Sequence, residues 1–296
     1  MTVVTRFAPS PTGDLHLGHA HAAHVAWRLA RAAGGRFLVR IEDIDQARCR
    51  EAFVGRNLDD LAWLGLDWET PVIRQSARYH HYLAALDRLR AAGLLYPCFC
   101  TRRAIAGEIA AAAAAPQAEP GEAEAIRSVP PVYPGTCRRL DPAVAACRAA
   151  AGEPHALRLD AKAALARIGP LTWTDLGRGE QALSLAGWGD VVVARRELAT
   201  SYHLAVVVDD AAQGVTHITR GADLFAASHV HRLLYALLAL PPPVWHHHRL
   251  CVDAAGRRLA KRTPGLTLRD LRGRGLSPAA VLAMAEAAAT GSDATA

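Results

Sequence analysis

The first 41 residues constrain the fold most, because there the hydrophobic period switches from strand to helix and back. Residues 2–8 (TVVTRFA) carry a strand pattern and run into the turn-rich stretch Ala8-Pro-Ser-Pro-Thr-Gly-Asp14. Helical spacing follows from Leu17 to Ala33 and stops at Gly34-Gly35, a helix-terminating pair. Phe37–Ile41 is again a compact strand. A strand, a helix and a strand in so short a span form one β-α-β unit, and repetition of that unit builds parallel sheets. The expected fold class is therefore α/β, with a doubly wound parallel sheet.

The junction between the first strand and its helix also carries chemistry. Pro9-Ser-Pro-Thr-Gly-Asp-Leu-His-Leu-Gly-His19 places His16 and His19 three apart with Gly18 between them. A helix N-terminus offers unpaired backbone N–H groups and the positive end of the helix dipole, so it favours phosphate. Gly18 lets a nucleotide approach the backbone closely, and both imidazoles can donate to phosphate oxygens. Surface or core histidines would be the default reading of such a pair in isolation. Its place after a strand and a Pro/Gly-rich turn points to function instead.

Further along, Asn57–Leu64 and Tyr79–Ala92 show helical spacing, and residues 189–194, 204–209 and 215–219 read as strands, with a helix expected across Ser228–Ala239. After Lys261 one or two short helices and a small-residue tail are expected. From Tyr96 to about Leu140 the character changes to cysteines, an Ala-rich run near residues 104–127 and a Pro-rich turn. That run reads as a helix or a flexible insertion without an assigned function. Boundaries are expected at 1–95, 96–190, 191–265 and 266–296.

Net charge is +6 and the sequence pI is 9.2, which suits a polyanionic partner without proving one. No apolar run approaches the roughly 20 residues needed to span a bilayer, and the N-terminus lacks the pattern of a signal peptide. A cytoplasmic location with no membrane partner is expected. The six cysteines then do not form a disulfide framework. Cys49, Cys147 and Cys251 read as buried spectators. Cys98-x-Cys100 followed by Tyr133-x-x-x-Cys137 could close a four-ligand zinc site, or could be partly buried thiols at a strand end. Cys147 is an alternative to Tyr133 as the fourth ligand. His246-His247-His248 reads as a polar strand end or loop rather than a metal site.

Four motifs in order resemble one known family. His16-Leu-Gly-His19 is similar to the "HIGH" signature of class I aminoacyl-tRNA synthetases, and Arg6-Phe-Ala-Pro-Ser-Pro-Thr-Gly13 resembles their glutamate-specific branch. So do Ile41-Glu-Asp-Ile-Asp45, the segment from Tyr202 to Asp209, and Arg220-Gly-Ala-Asp223. The resemblance runs from residue 6 to about 263. It implies a Rossmann-type catalytic domain with an inserted zinc-bearing acceptor-type subdomain and a short C-terminal helical piece.

The resemblance also implies site residues. His16, Gly18 and His19 would hold ATP, which enters as a substrate with Mg2+. Arg258-Leu-Ala-Lys261-Arg262 stands in place of the family's "KMSKS" loop; Lys261 alone matches it fully, as a catalytic group stabilising departing pyrophosphate. Arg6, Phe7, Ala8, Pro9, Ser10, Glu42, Tyr202 and Arg220 match glutamate-contacting positions. The choice of residue types is sensible, since glutamate brings two carboxylates and one ammonium. Asp43 and Asp45 are expected only to hold their loop. One Zn2+ on Cys98, Cys100, Tyr133 and Cys137 is the metal site found in short glutamate-activating relatives.

Only 33 residues follow Thr263, too few for a helical anticodon-binding domain. The chain thus resembles the stand-alone branch, the glutamyl-queuosine tRNA(Asp) synthetases, which join glutamate to the queuosine base in the anticodon stem-loop of tRNA(Asp). A monomer acting on L-glutamate, ATP and that tRNA is expected. A truncated enzyme charging the tRNA 3′ end, and a non-catalytic tRNA-binding relative, are the alternatives.

Overall fold

The computed structural model describes residues 2–101, 103–106, 132–196, 198–252 and 267–290. Arg258, Lys261 and nearly all of the Ala-rich run fall outside the described residues.

Strand β1 (Val4–Phe7) is buried along its whole length, as a central parallel strand must be. Helix α1 (Leu17–Ala32) follows it, and its buried face is Leu17, Ala20, Ala23, Ala26 and Ala30. Four alanines on that face let the helix sit close over the sheet, where Thr5 Oγ1 donates to the Ala26 carbonyl at 2.8 Å. The turn out of α1 needs Gly35, because a Cβ there would lie 2.1 Å from the Val3 carbonyl oxygen. β2 (Arg36–Ile41) pairs parallel with β1, and β3 (Glu69–Arg74) pairs parallel with β2. Helix α2 (Glu51–Trp63) joins those two strands, and α3 (Tyr79–Ala91) follows β3.

A small antiparallel sheet comes next, built from β4 (Leu95–Cys98), β5 (Ala156–Leu159) and β8 (Val191–Ala194). Helix α4 (Pro142–Ala150) lies between β4 and β5, and α5 (Ala161–Ile168) follows β5. The hairpin β6 (Thr172–Asp175) and β7 (Gly179–Ala182) returns to the main sheet, because β6 pairs parallel with β10 (Val244–His248). β10 in turn pairs parallel with β9 (His217–Gly221). Sheet membership therefore interleaves across the boundary expected at residue 190: β6 joins the later strands and β8 the earlier ones.

Segment 204–209, expected as a strand, is helix. α6 (Tyr202–Ala212) begins at Ser201, whose side chain accepts from the Leu204 amide. Leu204, Ala205, Val206, Val207, Asp209 and Asp210 are all buried, so the helix is apolar on nearly every side. Such a run has no period to distinguish it from a buried strand. α7 (Phe225–Leu237) follows β9, and α8 (Leu268–Gly273) and α9 (Pro278–Thr290) close the described chain.

β9 lies beside β1: the Thr216 amide donates to the Val4 carbonyl at 3.0 Å, and the Val4 amide to Thr216 Oγ1 at 2.8 Å. The parallel strands thus run β3-β2-β1-β9-β10-β6, and chain direction across the sheet reverses between β1 and β9. Both faces are covered. Phe37, Val39 and Ile41 pack in one core with α1 and α9, while Leu38 packs on the other side with α6 and α7. That is a doubly wound sheet, and ligands bind such sheets at the carboxyl ends of strands flanking the reversal. Among the described residues no helix is long and apolar enough to cross a membrane.

Candidate active site

At the carboxyl end of β1 the chain caps α1 with histidine. His16 is the N-cap residue; its Nδ1 accepts from the Gly18 amide at 3.1 Å, and His19 Nδ1 accepts from the His16 amide at 3.2 Å. An accepting Nδ1 leaves the proton of a neutral ring on Nε2, so both rings carry their donor on that nitrogen. The rings lie 3.9 Å apart between centroids. A Cβ on Gly18 would meet His16 Cε1 at 3.0 Å, so any side chain there would disturb the cap. Leu268 N donates to the Leu15 carbonyl at 2.8 Å, and Thr267 bridges to His16. Thr267 and Leu268 are therefore fastened to the histidine motif.

Across the β1/β9 reversal lies a buried ionic pocket. Arg6 on β1 donates from Nε to Asp210 Oδ1 (2.9 Å) and from Nη2 to Oδ2 (3.1 Å), and from Nη1 to the Thr219 carbonyl (3.1 Å). Arg40 on β2 donates to the same Asp210 at 2.6 Å and to Glu42 Oε1 at 3.1 Å. Burial would push Asp210 up, but Arg40 and Arg6 hold its carboxyl below the usual aspartate value. For Glu42 burial wins over Arg40 and Arg6, so its carboxyl sits above the usual glutamate value. Glu42 N donates to the Pro9 carbonyl at 3.0 Å, tying the loop after β2 to the loop after β1.

Arg220 on β9 is provided for differently. Its Nε donates to His247 Nε2 (3.3 Å), Nη2 to Ser228 Oγ (2.5 Å), and Nη1 to His231 Nδ1 (3.1 Å). No carboxylate of the described residues forms an ion pair with it. Burial lowers its affinity for its proton, and burial raises Tyr202 beside it. Tyr202 feels Arg220, Glu42 and Arg6 electrostatically, so these four expected residues share one pocket. Phe7 and Pro9 are buried, Ala8 half-buried, and Ser10 exposed on the loop beyond. Asp43 accepts from the Ser76 amide and hydroxyl, both at 2.8 Å, so its carboxylate is engaged in holding the loop.

Several members of the site were not singled out from sequence: Arg40, Asp210, Asp175, Ser228, His231 and His247. Asp209 beside them is also buried, accepting from Gln75, Arg78 and Tyr82 at 2.7–2.9 Å. Charged residues inside apolar runs were the available signal, as with Arg40 between Val39 and Ile41, or Asp209-Asp210 closing an apolar helix.

A second cluster lies at the end of β4. The Sγ atoms of Cys98, Cys100 and Cys137 lie within 4.8 Å of one another, with Cys100 and Cys137 at 3.4 Å. Tyr133 Oη lies 3.7 Å from Cys100 Sγ and accepts from the Cys137 amide at 2.8 Å. Burial pushes Cys100 up to about 12. Burial opposes but does not prevent a fall at Cys137, which Tyr133 and the Phe99 amide stabilise as thiolate. Four-coordinate zinc with bonds of about 2.3 Å separates its sulfurs by about 3.8 Å, so the donor set fits such an ion. Cys147, expected buried, is exposed on α4, a helix that buries only Ala145, so Tyr133 stands at the cluster in its place.

Comparison with known proteins decides the family. The model of class I tRNA synthetases (E and Q), catalytic domain, matches residues 2–288. The chain belongs to this family. It is an enzyme of the aminoacyl-tRNA synthetase type. A Rhodobacter capsulatus protein named glutamyl-Q tRNA(Asp) synthetase is 49% identical over 94% of this chain and 97% of its own length. A Symbiobacterium thermophilum protein of the same name is 44% identical over 94% of this chain and 83% of its own length. Among solved structures, a glutamate tRNA ligase from Elizabethkingia meningosepticum in complex with its amino acid superposes with a TM-score of 0.71 at 24% identity. It covers 93% of this chain, and the chain spans about half (54%) of that longer protein, so this likeness concerns the synthetase fold alone.

Proposed function

We propose that the chain activates L-glutamate with ATP and transfers the glutamyl group to the queuosine base in the anticodon of tRNA(Asp). The observation that carries the amino-acid half is the buried pocket, where three arginines face two carboxylates and Arg220 has no ion-pair partner among the described residues. An anionic amino acid supplies the missing charge. The queuosine half rests on the names of relatives that match over most of both chains.

In the first step a glutamate α-carboxylate oxygen attacks the α-phosphorus of ATP, and the bond to pyrophosphate breaks. Glu42 receives the α-ammonium, Arg220 and Tyr202 receive carboxylate, and Arg6, clamped by Asp210, lines the pocket. His16 and His19 present Nε2–H donors at the α1 N-terminus, where the dipole favours phosphate. Lys261 stabilises the leaving pyrophosphate. In the second step a hydroxyl of the queuosine diol attacks the activated carbonyl, AMP departs, and an ester forms. No covalent enzyme intermediate is needed, so positioning and charge stabilisation supply the acceleration. Cys98, Cys100, Tyr133 and Cys137 would hold one zinc ion as a structural tie for the small antiparallel unit.

The test is to charge tRNA with labelled glutamate and cut it with a base-specific ribonuclease. Label on the anticodon fragment, absent when the tRNA lacks queuosine, is expected. Label on the 3′-terminal adenosine would make the chain a conventional glutamate ligase instead, and absence of glutamate-dependent ATP–pyrophosphate exchange would remove the activation step altogether.

A further inference from the structure

Arg6 and Arg220 are buried to the same degree, each 6% exposed, yet only one is neutralised by contact. Arg6 is clamped in two places by Asp210. Arg220 touches two imidazoles and the hydroxyls of Ser228 and Tyr202, and the nearest carboxylate support it feels, from Asp210, comes without contact. A buried guanidinium without compensation is costly, so something must stabilise its charge at one remove.

The strand register supplies it. β6, β10 and β9 are consecutive neighbours, with Asp175 paired to Trp245 and His247 paired to Arg220. Asp175 Oδ2 lies 2.6 Å from His247 Nδ1. Asp175 also accepts from the Gly177 amide at 2.9 Å and the His247 amide at 3.2 Å, which fixes it as a carboxylate. The Nδ1 proton of His247 must then point at Asp175, leaving Nε2 as an acceptor for Arg220 Nε and, at 2.9 Å, for the Ser228 hydroxyl. In the opposite tautomer Nε2–H would face both donors. Burial, aided by Arg220 and opposed by Asp175, brings His247 to about 4, so the ring stays neutral. The Asp–His–Ser sequence has the order of a nucleophilic triad. Ser228 is wholly buried, however, and its oxygen takes an N–H of Arg220, so it serves as an acceptor rather than a nucleophile.

We propose that Asp175 and His247 form a positioning relay that keeps Arg220 charged and fixed in direction without a contacting carboxylate, so that the first carboxylate to reach this arginine is the substrate's. The idea rests on the glutamate-activating reading above. A directly bound aspartate would occupy the bidentate edge that a substrate carboxylate uses. A carboxylate placed one imidazole away lends its field while His247, Ser228 and His231 engage one N–H each on Nε, Nη2 and Nη1, so the remaining N–H on each Nη is left to the ligand.

The test combines histidine 15N NMR with calorimetric titration of glutamate. In the wild-type protein His247, assigned by its loss in H247Q, is expected as the Nδ1–H tautomer at neutral pH. D175N is expected to shift the ring toward Nε2–H and to weaken glutamate binding about tenfold or more, with ATP binding changed less than about twofold. In D175N/H247Q the glutamine oxygen can accept from Arg220 without a tautomer choice, so the double variant should bind glutamate no worse than D175N. An Nε2–H or doubly protonated His247 in the wild type overturns the relay even if neither variant folds. So does additive loss in the double variant, or equal loss of ATP and glutamate binding. Failure of the wild-type protein to bind glutamate overturns the substrate reading separately, because the tautomer is read without ligand.

Discussion

Replacing Asp210 with asparagine should be among the most damaging single changes in this chain, although Asp210 contacts no substrate in the mechanism above. The carboxylate is fully buried and accepts three guanidinium hydrogen bonds, two from Arg6 and one from Arg40, between 2.6 and 3.1 Å. Removing one side of a buried ion pair costs about 3–5 kcal/mol, because the other charge stays desolvated and unpaired. Here two arginines lose the partner, although Arg40 keeps Glu42 and Arg6 keeps the Thr219 carbonyl, so a value near the lower end, about 3 kcal/mol, is expected. Each kcal/mol shifts the melting temperature of a chain this size by roughly 2–4 °C, giving a fall of about 6–12 °C. The pH dependence fixes the cause. Asp210 has a folded-state pKa below its unfolded value, so its contribution is complete above about pH 4 and is lost as pH falls through the depressed value. Thermal melts followed by circular dichroism at neutral pH and in acid should therefore show the two proteins converging at low pH. A D210N protein melting within about 2 °C of wild type at neutral pH would refute the buried network.

Glu42 has the opposite sign: its carboxyl is raised by burial, so ionising it costs the fold, and E42Q should melt no lower than wild type at neutral pH. Protonation of Glu42 should raise KM for glutamate as pH falls, beginning above the ordinary glutamate value of 4.5, and E42Q should lack this limb in a pH series of exchange assays. Elemental analysis should find one zinc per chain, and Cys98→Ser with Cys137→Ser should lose it; full retention in that double variant would place the metal elsewhere. Lys261→Ala should slow ATP–pyrophosphate exchange by at least about tenfold with little change in glutamate KM, since it acts chiefly on the transition state. An unchanged rate would show that the departures at Arg258, Ala260 and Arg262 have retired the loop.

The fold was legible where period and punctuation agreed. Thr2–Ile41 has both, and its strand, helix and strand stand where the spacing put them. α6 was misread because Leu204–Val208 is apolar without period, and only the Ser201 cap distinguishes it from a strand. Pairing was illegible for a different reason. Nothing local in residues 172–175 or 191–194 says which sheet each strand joins, since hydrogen bonds to distant strands decide it. The cysteine spacing pointed to a cluster, but the choice between Tyr133 and Cys147 needed α4, which turns Cys147 to solvent. Among the pocket residues, those embedded in motifs could be named, whereas their holders could not.

The histidine triplet shows why holders escape a linear reading. His246-His247-His248 reads as one polar feature, yet in β10 alternate side chains leave opposite faces of the sheet. His248 packs edge-on against His21 of α1, at 4.8 Å between ring centroids, while His247 reaches Asp175, Ser228 and Arg220. The same alternation on β2 sends Phe37, Val39 and Ile41 toward α1 and delivers Arg40 to Asp210. What results is a division of labour among buried charges. Asp210 absorbs Arg6 and part of Arg40, Glu42 takes the rest of Arg40, and Arg220 keeps one positive charge unanswered in contact. Glutamate, with two carboxylates and one ammonium, answers it. Glutamine is neutral overall and would leave a desolvated guanidinium facing an amide, a loss of several kcal/mol by order of magnitude. Selectivity for the acid over its amide then follows from which arginine the fold leaves without a carboxylate, and Asp175 stands one imidazole away so that it can remain so.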